Sequence, residues 1–234
     1  MIDEPSPPRN RTLIGLAALV IVLVVANLSR STFVPGEIHL PFNVSLGLVA
    51  AGIAWATGMT LRELGLGRET LGSGLRFGGA AFALVAVVVG GAALMPSARD
   101  AMVDAGKADL TSVGLLVEVL LRIPIETVLV EELVFRGVLH GLLLRLVGPR
   151  AALAIGAGIF GLWHVFPEWR STSDVTAAAG VSPVVAVFGT FVATSIAGVV
   201  FGWLRARSGS LVAPVLAHQA TNSVGLVVAW LLAR

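Results

Sequence analysis

Glu131-Glu132-Leu133-Val134-Phe135-Arg136-Gly137 lies inside a long apolar stretch. In hydrocarbon, an ionised side chain at mid-bilayer costs about 2.5–3.5 kcal/mol on insertion scales. Two carboxylates and a guanidinium within six residues must therefore be compensated or put to use. On a helix, residues four apart share a face and adjacent residues point ~100° apart. Glu132 is thus a neighbour of Arg136, with the acid on the favourable N-terminal side, while Glu131 points well away. One carboxylate is held by a cation and the other is left to act as a general base.

Three further polar residues sit on separate apolar segments. His164 closes Phe160-Gly161-Leu162-Trp163-His164, and His218 and Asn222 are four apart. An imidazole and a carboxamide on one face can donate two hydrogen bonds to one oxygen, the requirement for holding a tetrahedral oxyanion. Blander roles compete: a hydrogen bond between helices for His164, and an interhelical polar clamp for His218 and Asn222. Glu118, Arg122 and Glu126 read as an intrahelical ion-pair ladder. His39 and His140 receive no role.

The elements that carry these residues must cross lipid. The 234 residues are 56% hydrophobic and only 13% charged, against about a quarter charged in a soluble domain. The fold class expected is all-α: a polytopic transmembrane helix bundle with about 7 spans and its polar site within the membrane. No nucleic-acid partner is implied, because the basic residues are scattered between spans, where they mark topology. With no cysteine, thiol nucleophiles, thiolate metal sites and disulfides are excluded.

In order, residues 1–11 read as a disordered tail, and 12–110 as N-terminal spans (Leu13 to Leu28, Phe42 to Met59, Leu75 to Met95) with an interfacial segment at Leu61 to Leu71. Pro96 to Leu110 reads as a loop. Residues 111–234 form the bundle that carries the polar residues and is expected to be the catalytic unit. Thr111 to Val147 is too long for one crossing and holds a break at Pro124. Ala151 to Phe166 is closed by Pro167, a polar loop follows from Glu168 to Ser182, and the last spans are Pro183 to Leu204 and Leu211 to Leu232. Gly198-x-x-x-Gly202 permits close helix contact. Gly137 and Gly141 let another backbone approach beside the motif.

Lys and Arg alternate with these crossings, and the denser side (Arg9, Arg11, Arg62, Arg68, Arg76, Arg145, Arg150, Arg205, Arg207) is expected to be cytoplasmic, with the N-terminus inside. At ~1.5 Å per residue, Glu131 lies about 21 Å from Arg145, and His164 about 21 Å from Arg150. His218 lies about 16 Å from Arg207. The first two depths match and the third lies one or two turns nearer the cytoplasm, a difference that tilt or the breaks near Pro124 and Pro214 can absorb, so the three helices are expected to meet on the cytoplasmic side of the bundle.

Glu-Glu-x-x-x-Arg, then Phe-x-x-x-His, then His-x-x-x-Asn, in order on successive hydrophobic segments, resembles the CPBP (Abi) family. Its members are CAAX-prenyl-endopeptidase-like intramembrane proteases and bacteriocin-processing or immunity proteins. The resemblance covers roughly Val113 to Leu232, and Leu64-Gly65-Leu66 is similar to the family's interfacial segment. It implies an endopeptidase acting in or at the membrane on a membrane-associated protein or peptide, with membrane lipid as its other partner; the compact size of the chain points to a bacterial cytoplasmic membrane. It implies Glu131 as the base that activates water, helped by His164, with the oxyanion held by His218 and Asn222 and the site oriented by Glu132 and Arg136.

The cofactor is left open between Zn²⁺, ligated by Glu131, His164 and His218, and none. Asn222 is a poor zinc ligand, and a carboxylate cannot easily serve as both ligand and base, which favours the metal-free form. A non-catalytic immunity-type protein and an ion-coupled transporter are the rival functions. Polar residues confined to the second half count against a transporter built of matched halves.

Overall fold

Inside lipid every backbone N–H and C=O must be paired within the protein, so the apolar runs become helices. The computed structural model describes residues 8–105, 110–179 and 182–234, and these hold helices and turns but no strand. The helices are α1 (Arg9–Thr32), α2 (His39–Ala56), α3 (Leu71–Ala92), α4 (Pro96–Ala105), α5 (112–147), α6 (Pro149–Ala179), α7 (Pro183–Ser208) and α8 (Val212–Leu232). Among the described residues six of them, α1, α2, α3, α6, α7 and α8, are long and apolar enough to cross a membrane. With α5, helical throughout, they form a polytopic bundle of about seven spans, and the protein is an integral membrane protein.

Some expectations are corrected. Arg9 to Arg11 begin α1 rather than ending a tail, and residues 1–7 lie outside the described residues. Pro96–Ala105 is helical rather than a loop, and residues 106–109 lie outside. α6 passes through Pro167 to Ala179. The loop expected from Glu168 is therefore helical to Ala179, and residues 180–181 lie outside.

α5 runs through the centre. Its Val134, Phe135, Val138, Leu139 and Leu142 are buried in one apolar cluster with Leu19 and Leu23 of α1, Leu46 and Ala50 of α2, and Phe160 and Trp163 of α6. α7 lies closely on α6: a Cβ at Gly198 would fall 2.9 Å from the Ala157 Cα. The Gly198-x-x-x-Gly202 spacing thus serves as expected. α8 lies as closely on α3, where a Cβ at Gly78 would fall 2.9 Å from the Ala213 Cα.

Two prolines sit within these rods, and each freed carbonyl finds a donor on another helix. From Glu118 to Val128, α5 winds in wide turns, with Leu129 N–H donating to the Pro124 carbonyl five residues back. In that register Pro124, lacking an N–H, leaves the Val119 carbonyl free, and Gln219 Nε2 of α8 donates to it at 2.8 Å. Pro167 leaves the Trp163 carbonyl free four residues back, and Asn27 Nδ2 of α1 donates to it at 2.6 Å. Pro167 is therefore tolerated where a stop was expected: its missing bond is replaced from outside the helix.

The turn from Thr57 to Gly67 caps the end of α5 that carries Arg145. Arg145 donates to Glu63 Oε1 at 2.7 Å, to the Thr57 carbonyl at 2.9 Å and to the Gly58 carbonyl at 3.1 Å. Arg205 of α7 donates to the Glu63 carbonyl at 2.8 Å, and Leu211 N–H to the Gly65 carbonyl at 2.8 Å. Gly65 has φ +77°, and a Cβ there would run 2.5 Å from the Arg205 Cζ, so only glycine fits. The positions a Cβ would take at Gly137 and Gly141 lie 3.6 Å from the Leu64 and Glu63 carbonyl oxygens. The backbone approach expected there is present.

Two measurements check these contacts. Asn27→Leu leaves the Trp163 carbonyl unpaired in the bundle and should destabilise the protein by about 1–3 kcal/mol in detergent unfolding. At Glu63, partial burial works to raise the carboxyl's proton affinity, but hydrogen bonds from Arg145 and the Thr60 backbone outweigh it and hold the group below its ordinary 4.5. The pairing therefore stabilises above that value and is lost as pH falls through the lowered one. The acid-side fall in Tm should be shallower in Glu63→Gln than in the unaltered protein.

Candidate active site

Glu132 and Arg136 form the first layer of the site. Both are buried, and Arg136 Nη1 donates to Glu132 Oε1 at 3.1 Å across one turn. The pair expected from the spacing is present, although the helix winds in wide turns from Leu133 to Leu139. Such turns are frequent at functional sites. The guanidinium also lies over aromatic faces, 3.9 Å from the Phe160 centroid and 5.0 Å from that of Phe201. Ring quadrupoles attract a cation most strongly where water is excluded.

The same Glu132 oxygen bonds His218 Nδ1 at 2.8 Å. A carboxylate only accepts, so Nδ1 carries the proton and Nε2 faces outward. The His218 ring stacks on Phe201, with centroids 5.0 Å apart and planes 24° apart. Glu132 therefore joins α5 to α8 and fixes the imidazole.

Glu131 faces another way. Its Oε1 accepts from Trp163 Nε1 at 3.3 Å, and its Oε2 lies 4.0 Å from His164 Nε2. No Lys or Arg ion pair reaches it among the described residues. His164 Nδ1 bonds the Phe160 carbonyl at 2.8 Å, and a carbonyl only accepts, so neutral His164 turns a bare Nε2 towards Glu131. Glu131 Oε2 is buried and has no hydrogen-bond partner. His164 itself is partly open.

The structure thus brings Glu131, Glu132, Arg136, His164 and His218 together from three helices. Asn222 is the exception. It lies one turn beyond His218 on the same face but is exposed, and no hydrogen bond described joins it to the cluster. The ladder Glu118–Arg122–Glu126 is present as expected, with contacts of 2.9 and 3.5 Å.

A zinc site at Glu131, His164 and His218 does not fit this arrangement. Among the described residues no group of three or more His, Asp or Glu is placed to hold a metal ion. The Phe160 ring stands against both imidazoles, its centroid 4.6 Å from that of His164 and 6.1 Å from that of His218.

Sequence reasoning passed over Trp163, the donor to Glu131, and Asn43 of α2. Asn43 is buried, donates through Nδ2 to the Glu126 carbonyl at 2.9 Å, and lines a small cavity together with Glu126, Glu131 and Trp163. A polar residue inside an apolar span was the available signal for Asn43. Trp163 carried none beyond its place beside His164.

Comparison with family models places residues 113–224 in the family described as "Type II CAAX prenyl endopeptidase Rce1-like". The match spans 112 of the 234 residues, a little under half of the chain. Comparisons with curated proteins and with solved structures gave no significant match. The matched range holds every member of the cluster, from Glu131 on α5 to His218 on α8, and Asn222 as well. The matched range runs from α5 into α8, and the family described is one of endopeptidases.

Arg136→Met should cost about 3–5 kcal/mol in unfolding free energy, because it strands the buried Glu132 charge. The double variant Glu132→Gln with Arg136→Met should recover part of that loss. Thermal unfolding of both in one detergent is the measurement.

Proposed function

We propose that the domain hydrolyses a peptide bond of a membrane-associated protein or peptide, with Glu131 as general base. The observation that carries this is the 4.0 Å gap between Glu131 Oε2 and His164 Nε2, two hydrogen-bond acceptors facing one another. A water about 2.8 Å from each would donate one hydrogen to each, at an angle of about 90°. Glu131 takes one proton as the water oxygen attacks the scissile carbonyl, and His164 holds the other hydrogen. The proton on Glu131 then passes to the departing amine as the C–N bond breaks.

Charge develops on the carbonyl oxygen at the attack step, and fixed donors there lower the barrier most. His218 supplies one such donor. For this role the ring carries a hydrogen on each nitrogen at the attack step, Nδ1–H donating to Glu132 and Nε2–H to the oxyanion. Asn222, on the same face and open, supplies the second. Arg136 holds Glu132 in place for this task. No step is routed through a metal, because these residues do not converge on one ion.

The bundle is proposed to lie with its N-terminus and its arginine-rich end in the cytoplasm of a bacterial cell. Leader or signalling peptides suit that setting, and a prenylated CAAX tail is the substrate that the family's name carries. The immunity-type alternative shares the fold and lacks only the chemistry.

The deciding experiment uses purified protein in proteoliposomes with an internally quenched farnesylated peptide ending in a Cys-aliphatic-aliphatic-X sequence. In parallel, membrane-associated peptides are compared between cells carrying the unaltered protein and Glu131→Ala cells. Glu131→Gln should lower turnover by about 10²–10⁴-fold. Biological activity unchanged in Glu131→Gln would favour the immunity-type protein. Stoichiometric metal by mass spectrometry, with cleavage lost on EDTA treatment and restored by Zn²⁺, would overturn the metal-free route.

A further inference from the structure

Asn43 of α2 is as deeply placed as the motif residues, with 6% of its surface exposed. Its amide orientation is fixed. The group 2.9 Å away is the Glu126 carbonyl, which can only accept, so the nearer amide atom is Nδ2 and the other is Oδ1. Oδ1 is buried and has no hydrogen-bond partner. A buried acceptor left unpaired costs about 1–3 kcal/mol, so its position calls for a donor.

The cavity beside it is bounded by Asn43, Leu46, Glu126, Val130, Glu131 and Trp163, among others, and offers about 10 Å³ to a water centre. That is about the space one water needs. Of the residues lining this cavity, only Asn43 and Glu131 carry a buried side-chain oxygen without a partner, Oδ1 and Oε2. A water has two O–H donors and would satisfy both acceptors at once.

We propose that Asn43 and Glu131 bind one water in this cavity, and that Asn43 is a positioning residue that holds the Glu131 carboxylate through it. The inference rests on Glu131 being the general base. The Glu131 carboxylate is then held on two sides: Trp163 Nε1 donates to Oε1, and the Asn43-bound water donates to Oε2. Oε2 keeps room for a second donor, the nucleophilic water shared with His164. α2, outside the domain range matched, thereby becomes part of the machinery.

The test uses two substitutions that reach the water by different routes. Asn43→Leu removes the acceptor but also the bond to the Glu126 carbonyl. Val130→Ile adds a methyl group to the cavity wall and leaves that bond in place. Both are assayed in proteoliposomes with the quenched farnesylated peptide, alongside Glu131→Gln, with Tm recorded for each. The expected result is a fall in kcat of about tenfold or more in both variants, with KM within about twofold of the unaltered protein. A Val130→Ile protein with unaltered kcat overturns the proposal and leaves Asn43 a purely structural clamp, whether or not Asn43→Leu folds. Loss of turnover in Glu131→Gln with unaltered kcat in Val130→Ile sinks this inference alone. Unaltered turnover in Glu131→Gln sinks the general-base reading and this inference with it.

Discussion

A fully buried carboxylate must be neutralised where it stands, and Glu132 is the point on which the bundle is assembled. It accepts from Arg136 within α5 and from His218 on α8. The guanidinium it holds is covered by Phe160 of α6 and Phe201 of α7. Four helices therefore meet at one ion pair. The Coulomb gain of such a pair repays desolvation only when geometry and further hydrogen bonds are good. Apolar residues of similar shape would pack as well without that cost. Retention of a charged centre is understandable if the imidazole it orients has work to do.

The adjacent carboxylates divide that work by direction alone. Glu132 turns towards Arg136 and His218, and Glu131 towards Trp163 and His164. The two histidines differ in the same way. His164 hands its Nδ1 proton to a backbone carbonyl and stays an acceptor at Nε2. His218 donates its Nδ1 hydrogen to a carboxylate, which leaves Nε2 on the far side of the ring.

Local spacing made part of this legible. The Glu132–Arg136 pair, the divergence of Glu131, the Glu118–Arg122–Glu126 ladder and the small-residue contact of α7 all follow from the helical repeat. Contacts between distant segments did not follow. The Glu132–His218 bond joins residues 86 apart, and nothing in the spacing of His218 and Asn222 says that the first turns inward to a carboxylate while the second stays exposed. Pro167 reads as a stop because the signal is local, whereas its tolerance depends on Asn27, 136 residues from the carbonyl that it caps. Asn27 and Asn43 lie in spans whose composition is otherwise generic, yet each is a lone amide in hydrocarbon, the same anomaly that marked the motif helix.

The amide-to-carbonyl contacts at the two prolines have a consequence for how the helices are stacked in depth. Apolar surfaces between lipid-embedded helices are nearly indifferent to sliding, since lipid tails solvate them as well as leucine does. A single donor aimed at a single exposed carbonyl is not indifferent. Moving α1 by one turn along α6, about 5.4 Å, would leave Asn27 and the Trp163 carbonyl both facing hydrocarbon. The same displacement of α8 along α5 would take Gln219 away from the Val119 carbonyl and leave that acceptor unpaired. Each proline thus acts as a depth gauge: it exposes one acceptor at one level, and the neighbouring rod can settle only where its amide meets it.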